Sequence, residues 1–486
     1  MGDQTLLLPS ATKDQEWFSY FFIFTIEFEY ALESVFVNPY FNRLNCSIVF
    51  ISVLWLLPSI LSLGLQPLIQ KYIYQDYLLI TSHKKTLSYI FCSLALFGIL
   101  MFISAGTISE WYFKGSILFN SKARDTSLVL GVIGYLLMGV SHNSLFDMFL
   151  GLSETEKLKT YITWGCVGRM CGFLLASIDC FEIYSLYMYY NVGDNMTLTY
   201  FFSAVLYLFS MCFAIPTLYA GRRESDNSFF VFPGFKFLLS VPKKMLLLMM
   251  CYFFTFGCNI LISIYATSWV SNALITEKHK ANEDRRLFDM GVSWGAFTLF
   301  LSGIVTLLII SLIPYVRKQN YLKDSYILAG AHLISAAALL STYNIENFQW
   351  VFIIIPLCGL SIGANFLLPQ CLLQEIQFQY GKICDKLSYP HRGDYCSTAY
   401  KTGSKLESLL RFLLDIPSEE DKIHHSIEQS KEWSKILNLT AIFAQTVMFG
   451  LAPYVIVFWL EGETVKWGMV TAGLSALIGG LLAFLL

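Results

Sequence analysis

WFSYFFIFTIEFEYALESVFVNPY, residues 17–40, sets how the rest of the chain is read. It exceeds the roughly 20 residues that a helix needs to cross a hydrocarbon core of about 30 Å. Comparable stretches recur at about 48–70, 87–108, 126–150, 160–182 and 197–220. After a polar break they resume at about 245–270, 291–316, 322–342, 347–372, 433–459 and 465–486. The apolar surface is therefore distributed along the whole chain as membrane-length segments, six before the break and six after it.

Six and six spans argue for an all-α membrane protein with the twelve-span major facilitator fold, two six-helix bundles flanking a central path, although other transporter folds and non-transporting membrane proteins also have twelve spans. The expected division is a cytoplasmic segment at 1–16, a first bundle at 17–220, a central cytoplasmic loop at 221–244, and a second bundle at 245–486 containing a long cytoplasmic loop at 377–432. Pro58, Pro67, Pro216, Pro356, Pro369 and Pro453 fall in or near spans and are expected to kink them. Composition agrees, since only 14% of the 486 residues are charged against about 25% in soluble domains. The formal charge of -2 leaves no charge-dense face for nucleic acid. The twelve Cys never take CxxC spacing, and neither a nucleotide-binding loop nor a zinc motif occurs. These observations point away from an enzyme, a metal site or a cofactor, and toward membrane lipid as the chief surrounding. Residues 1–16 lack a cleavable signal, so the first span is expected to insert itself.

Sidedness follows from Lys and Arg, which cytoplasmic loops retain. With the N-terminus inside, 22 of the 33 basic residues fall in cytoplasmic segments and 9 in the opposite ones, while Arg169 and Lys435 lie in spans. Both termini are then cytoplasmic. The glycosylation sequons at Asn45 and Asn195 fall in outer loops, whereas Asn438 opens span eleven, out of reach of the transferase. Asp3 with Leu7 and Leu8 forms an acidic dileucine sorting pattern, which supports endosomal or lysosomal delivery, with the plasma membrane as the alternative. Within the long loop, residues 404–414 carry apolar side chains at 406, 409, 410, 413 and 414, the face of an interfacial helix.

Three carboxylates in span one and one guanidinium in span five stand out, because an isolated charge at the membrane centre costs about 3 kcal/mol on insertion scales. Glu29 and Glu33 are one turn apart on one face, while Glu27 lies about 160° from Glu29. Such acids fit proton or substrate binding, and Arg169 is expected to pair with Glu27 or Glu33. Structural ion pairs explain them equally well. Asp179 sits near the outer end of span five. His142 and Asn143 in span four, Asn259 in span seven, Asn365 and Gln370 in span ten, and Gln445 in span eleven supply hydrogen-bonding groups. Trp55 and Trp164 supply apolar ring faces, although bonding between helices accounts for the amides as well.

Residues 24–39 and 54–68, the Gly165 to Asp179 stretch, the Gly359 to Pro369 stretch and residues 437–445 resemble the proton-coupled sucrose symporters of plants and their animal relatives, the family that includes the melanosomal membrane-associated transporter. That resemblance implies a facilitator fold and sugar movement coupled to protons, and it matches Glu27 and Glu33 but leaves Glu29 peculiar to this chain. The family's span-four acid and following arginine read here as Gly139 and Leu150. In the loop after span two, Gln70 takes a glycine position, Asp76 is an imperfect substitute for the family's acid, and His83-Lys84-Lys85 supplies the basic part. The resulting expectation is a secondary transporter of a small polar solute. The competing reading is a receptor or partner-binding scaffold that has lost transport and docks a protein through the 377–432 loop.

Overall fold

The structure, a computed structural model, describes residues 13–74, 80–115, 117, 120–150, 158–178, 195–219, 242–278, 284–319, 322–345, 347–388 and 464–486, with positions 437, 440, 441, 443–445, 447 and 448. The interfacial helix expected at 404–414, the sorting pattern around Leu7, Pro453, Asp76 and Asp179 all lie outside these residues.

The elements are helices: α1 (Lys13–Arg43), α2 (Ile48–Tyr74), α3 (Ile80–Phe113), α4 (Ser121–Leu150), α5 (Leu158–Ala176) and α6 (Asn195–Phe209), then α7 (Lys243–Lys278), α8 (Asp284–Lys318), α9 (Asp324–Ser341), α10 (Val351–Ser388) and α11 (Thr464–Phe484). In a membrane every backbone polar group must be satisfied within the segment, and a helix does this. The ladder also continues past the apolar stretch: α3 outruns its expected 87–108 and α7 its expected 245–270. Pro58 and Pro67 lie within α2, and Pro356 and Pro369 within α10, without ending either helix. Pro216 is accommodated differently. The five residues Ser210–Ala214 before it form a π turn after α6, and Ser210 bonds the Thr25 hydroxyl of α1 at 3.0 Å.

Eight helices among the described residues are long and apolar enough to cross a membrane. Neither α1, with Glu27, Glu29 and Glu33, nor α5, with Arg169, is one of them by composition. Their polar residues are offset by packing, because α1 and α5 are each other's principal partners in the first half. There α3 packs on α4, and α1 touches α6. In the second half α11 packs between α7 and α9, and α8 packs on α7 and α10. The halves meet where α5 lies on α8 and where α1 touches α7 and α8. Side chains on the outer surface are apolar, including Phe97, Leu100, Leu308 and Ile353, while Trp111, Tyr112 and Trp350 are exposed at helix ends. That is a surface matched to lipid with aromatic rings at its rims.

Candidate functional site

Glycines bring α5 onto α1. A Cβ at Gly172 would stand 2.8 Å from both the Ala31 Cβ and the Phe28 carbonyl oxygen, and one at Gly165 would stand 3.2 Å from the Glu27 Cγ. The GCVGRMCG run therefore acts first as a contact face, and that close approach sets Arg169 beside Glu27. Arg169 donates through Nε and Nη2 to Glu27 Oε2 at 2.8 and 2.5 Å. Its partner is Glu27 rather than Glu33. The guanidinium carbon lies 4.6 Å from the Tyr30 ring centroid and 5.4 Å from that of Phe366, so aromatic rings of the two halves cover it.

The offset between Glu27 and Glu29 sends the second carboxylate to other neighbours. Glu29 is fully buried, accepts a hydrogen bond from the Tyr207 hydroxyl of α6, and lies 3.7 Å from His142 Nδ1 of α4. Its Oε1, the Glu33 Oε1 and the His142 Nδ1 have no hydrogen-bond partner among the described residues. No Lys or Arg salt bridge forms with Glu29 or Glu33 among these residues either, which sets them apart from Glu27. A buried carboxylate without a cation is costly, which makes Glu29 and Glu33 candidates for binding a proton or a polar group.

Glu33 opens on a cavity of about 260 Å³ lined by Tyr30, Trp55, Ser59, Tyr135, His142, Asn143 and Gln445, with Pro58 and Gly139 in its wall. Helices α1, α2 and α4 contribute most of this wall, and Gln445 comes from the second half. Gly139 is informative here because it stands in the wall of this cavity, opposite Pro58. A Cβ there would meet Pro58 at 2.8 Å and would lie 4.0 Å from Glu33 Oε1. Pro58 thus occupies the space that a side chain at 139 would need, and the acid beside that space is Glu33.

A second cavity, of about 420 Å³, lies between the halves, where Arg169, Met170 and Phe173 of α5 face Ser302, Thr306 and Phe366 of α8 and α10. Near one end of the bundle, polar ties join the halves. Asn38 donates to the Ile264 carbonyl at 2.6 Å and accepts from Trp55 Nε1 at 2.7 Å. Arg43 donates to Asp289 at 2.7 Å.

The remaining sequence candidates lie elsewhere. Asn365 accepts from Thr255 at 2.8 Å, a bond between α7 and α10. Trp164 packs on Trp17 and Tyr20, with centroids 5.1 and 6.3 Å away, and does not line the Glu33 cavity. Gln370 is half-buried in α10 and lines neither cavity, while the Asn259 Oδ1 is buried without a partner among the described residues. Asn45 is exposed in the turn after α1. The side chains of Gln70, Leu150 and Asn195 are outside the described set. Sequence reasoning did not reach Tyr207, Asn38, Tyr135 or Ser302. A buried amide at Asn38, one residue before Pro39, was the one local signal that could have drawn attention.

Among the described residues no group of three or more His, Cys, Asp or Glu is placed to hold a metal ion. This arrangement belongs to an all-α, multi-span membrane fold of the facilitator type, found in solved transporters. A bacterial homologue of the iron transporter ferroportin, in its outward-facing state, is similar over 97% of this chain and 98% of that chain, with TM-score 0.54 and 13% identity. The nucleoside transporter NupG is similar over the same shares, with TM-score 0.58 and 10% identity. At such identity the likeness is one of fold. No protein-family model and no curated protein sequence matches the chain.

Proposed function

We propose that the chain is a secondary transporter that moves a small polar solute, a sugar, through the membrane by alternating access coupled to protons. The observation that carries this reading is the Glu33 cavity, where His142, Asn143, Ser59 and Gln445 stand beside Trp55, Tyr30 and Tyr135. Sugar hydroxyls need donors and acceptors and the ring needs apolar faces, and this wall offers both. Glu29, Glu33 and His142 are the proton-binding groups. Their carboxylates have no cationic partner beyond a histidine among the described residues, so proton occupancy is the direct way to neutralise them in a low-dielectric interior. Glu27 and Arg169 form a neutral pair alongside.

With both termini cytoplasmic, the end carrying Arg43, Asp289, Asn38 and Ile264 is the outer one, and its polar ties hold the outer gate closed. Trp55 touches both the gate, through Asn38, and the solute cavity, so solute and gate share a side chain. An acidic outer or lumenal side, as in an endosome or lysosome, favours protonation and loading there, and a neutral cytoplasm favours release. The exposed Asn45 at that end suits glycosylation.

Uptake of labelled glucose and sucrose into proteoliposomes, with and without an imposed pH gradient, tests the reading. Saturable uptake that rises with external acidity supports it. No uptake of any sugar by folded protein, with one stoichiometric protein partner captured instead, would replace it with the scaffold reading.

A further inference from the structure

The cavity between the halves differs in chemistry from the one beside Glu33. Its walls are Met170, Phe173, Ile262, Leu299, Ile362 and Phe366. Few polar groups face it, and two of those are already engaged: Ser263 donates to the Asn259 carbonyl at 3.0 Å, and Thr306 to the Gly359 carbonyl at 3.2 Å. Two donors are left over. Ser302 Oγ is buried without a partner among the described residues. Arg169 commits Nε and Nη2 to one oxygen of Glu27, and Nη1 makes no bond to any described residue. A sugar here would leave most of its hydroxyls against hydrocarbon. An apolar body with a single anionic end would bury its body and present its charge to the fork and the serine.

We infer that this cavity is a second ligand site, for a small organic anion such as a monocarboxylate, and that Glu27 is the built-in competitor that holds Arg169 until the anion arrives. The pair Arg169 and Glu27 is neutral, so adding an anion would leave one uncompensated negative charge among apolar walls. Uptake of one proton by Glu27 removes it, and the protonated acid then releases its bond to Arg169. The ionisable and charged groups facing this exchange are Arg169 and Cys166 on α5 and Tyr30 on α1, with Glu33 further along α1. The cavity residues from α7, α8 and α10 are uncharged. One proton therefore enters with each anion, and binding strengthens about tenfold for each pH unit of acidification. This site is independent of sugar transport, since it uses a different cavity.

The test is equilibrium binding of labelled benzoate and benzenesulfonate to the purified full chain in lipid nanodiscs, from about pH 7.5 down to about pH 5.5, below which exposed carboxylates would begin to titrate. Benzenesulfonate keeps its charge throughout, so its pH slope reports protonation of the protein. The expected result is a slope near tenfold per pH unit in the native chain. Glu27→Gln should bind both anions tightly with a flat pH profile, because Arg169 is then free at every pH. Ser302→Leu, which fills the cavity and leaves the ion pair in place, should abolish binding, as should Arg169→Gln if it folds. Glucose should not compete. A pH slope that persists in Glu27→Gln, binding that survives Ser302→Leu, or absence of binding in the native chain would overturn the inference. If anion binding is absent while glucose uptake is intact, the anion site fails and the transport proposal stands. Anion binding without any uptake leaves the anion site standing and overturns the transport proposal.

Discussion

Arg169 and Glu27 stabilise the fold as a pair and destabilise it singly. Arg169→Gln leaves a carboxylate that is 5% exposed with no cation, and breaking a buried pair in this way costs about 3–5 kcal/mol. The double variant Glu27→Gln, Arg169→Gln should recover most of that loss, because no charge is stranded. Thermal unfolding in one detergent checks the order: double above single. Tyr207→Phe removes the hydroxyl that donates to Glu29, and a buried group left unsatisfied costs about 1–3 kcal/mol. It should therefore unfold earlier than the native chain, and a Tm unchanged by the loss of the hydroxyl would show that the bond contributes nothing. The acids and Arg169 were legible in the sequence because charge in a hydrocarbon-length segment is expensive enough to need an explanation. Tyr207, Ser302 and Tyr135 were not. A hydroxyl in a span has little compositional cost, and its importance depends on which helix faces it.

At the scale of elements, the stretches of membrane length were readable, and the structure adds a tight contact made by Gly165, Gly168 and Gly172. The partner of that contact was not readable, because a glycine face fits any close helix. Gly172→Leu should part α1 from α5, since even a Cβ would come within 2.8 Å of Ala31 and Phe28, and overpacking of this kind costs about 1–3 kcal/mol or more. Gly64→Ala in α2 meets nothing within 4 Å and should be neutral or stabilising by up to about 1 kcal/mol through helix propensity. The pair of variants, compared by unfolding, separates steric from propensity effects. Gly139→Asp places an acid beside Glu33 but drives it into Pro58. It should lower stability and should not raise coupling, unless Pro58→Ala is made with it. The kink expected at Pro216 was legible as a proline in a span; the π turn at Ser210–Ala214 before it was not, because a proline marks a break in the ladder without fixing which turn takes it up.

For the whole molecule, six plus six spans pointed to the facilitator arrangement from sequence alone, whereas the pairing across the halves did not follow from spacing. Arg43 counted in the sequence only as a loop charge, yet it bonds Asp289 across the interface. The pair is about one-third exposed on each side, so its own contribution to stability is on the order of 0–1 kcal/mol. The gating role proposed for it is a separate matter. Arg43→Cys with Asp289→Cys, in a chain with Cys46→Ser, should cross-link under oxidation, stop uptake, and regain it on reduction; unchanged uptake in the cross-linked protein would show that this end does not open. In the proposed mechanism, solute movement and proton movement meet at Glu33. Glu33→Gln mimics the protonated acid permanently, so it should uncouple the two. The direct measurement is sugar counterflow beside gradient-driven accumulation, in the same proteoliposomes, for the native chain and Glu33→Gln. Counterflow retained with accumulation lost is the predicted result, and full pH-driven accumulation by Glu33→Gln would contradict it.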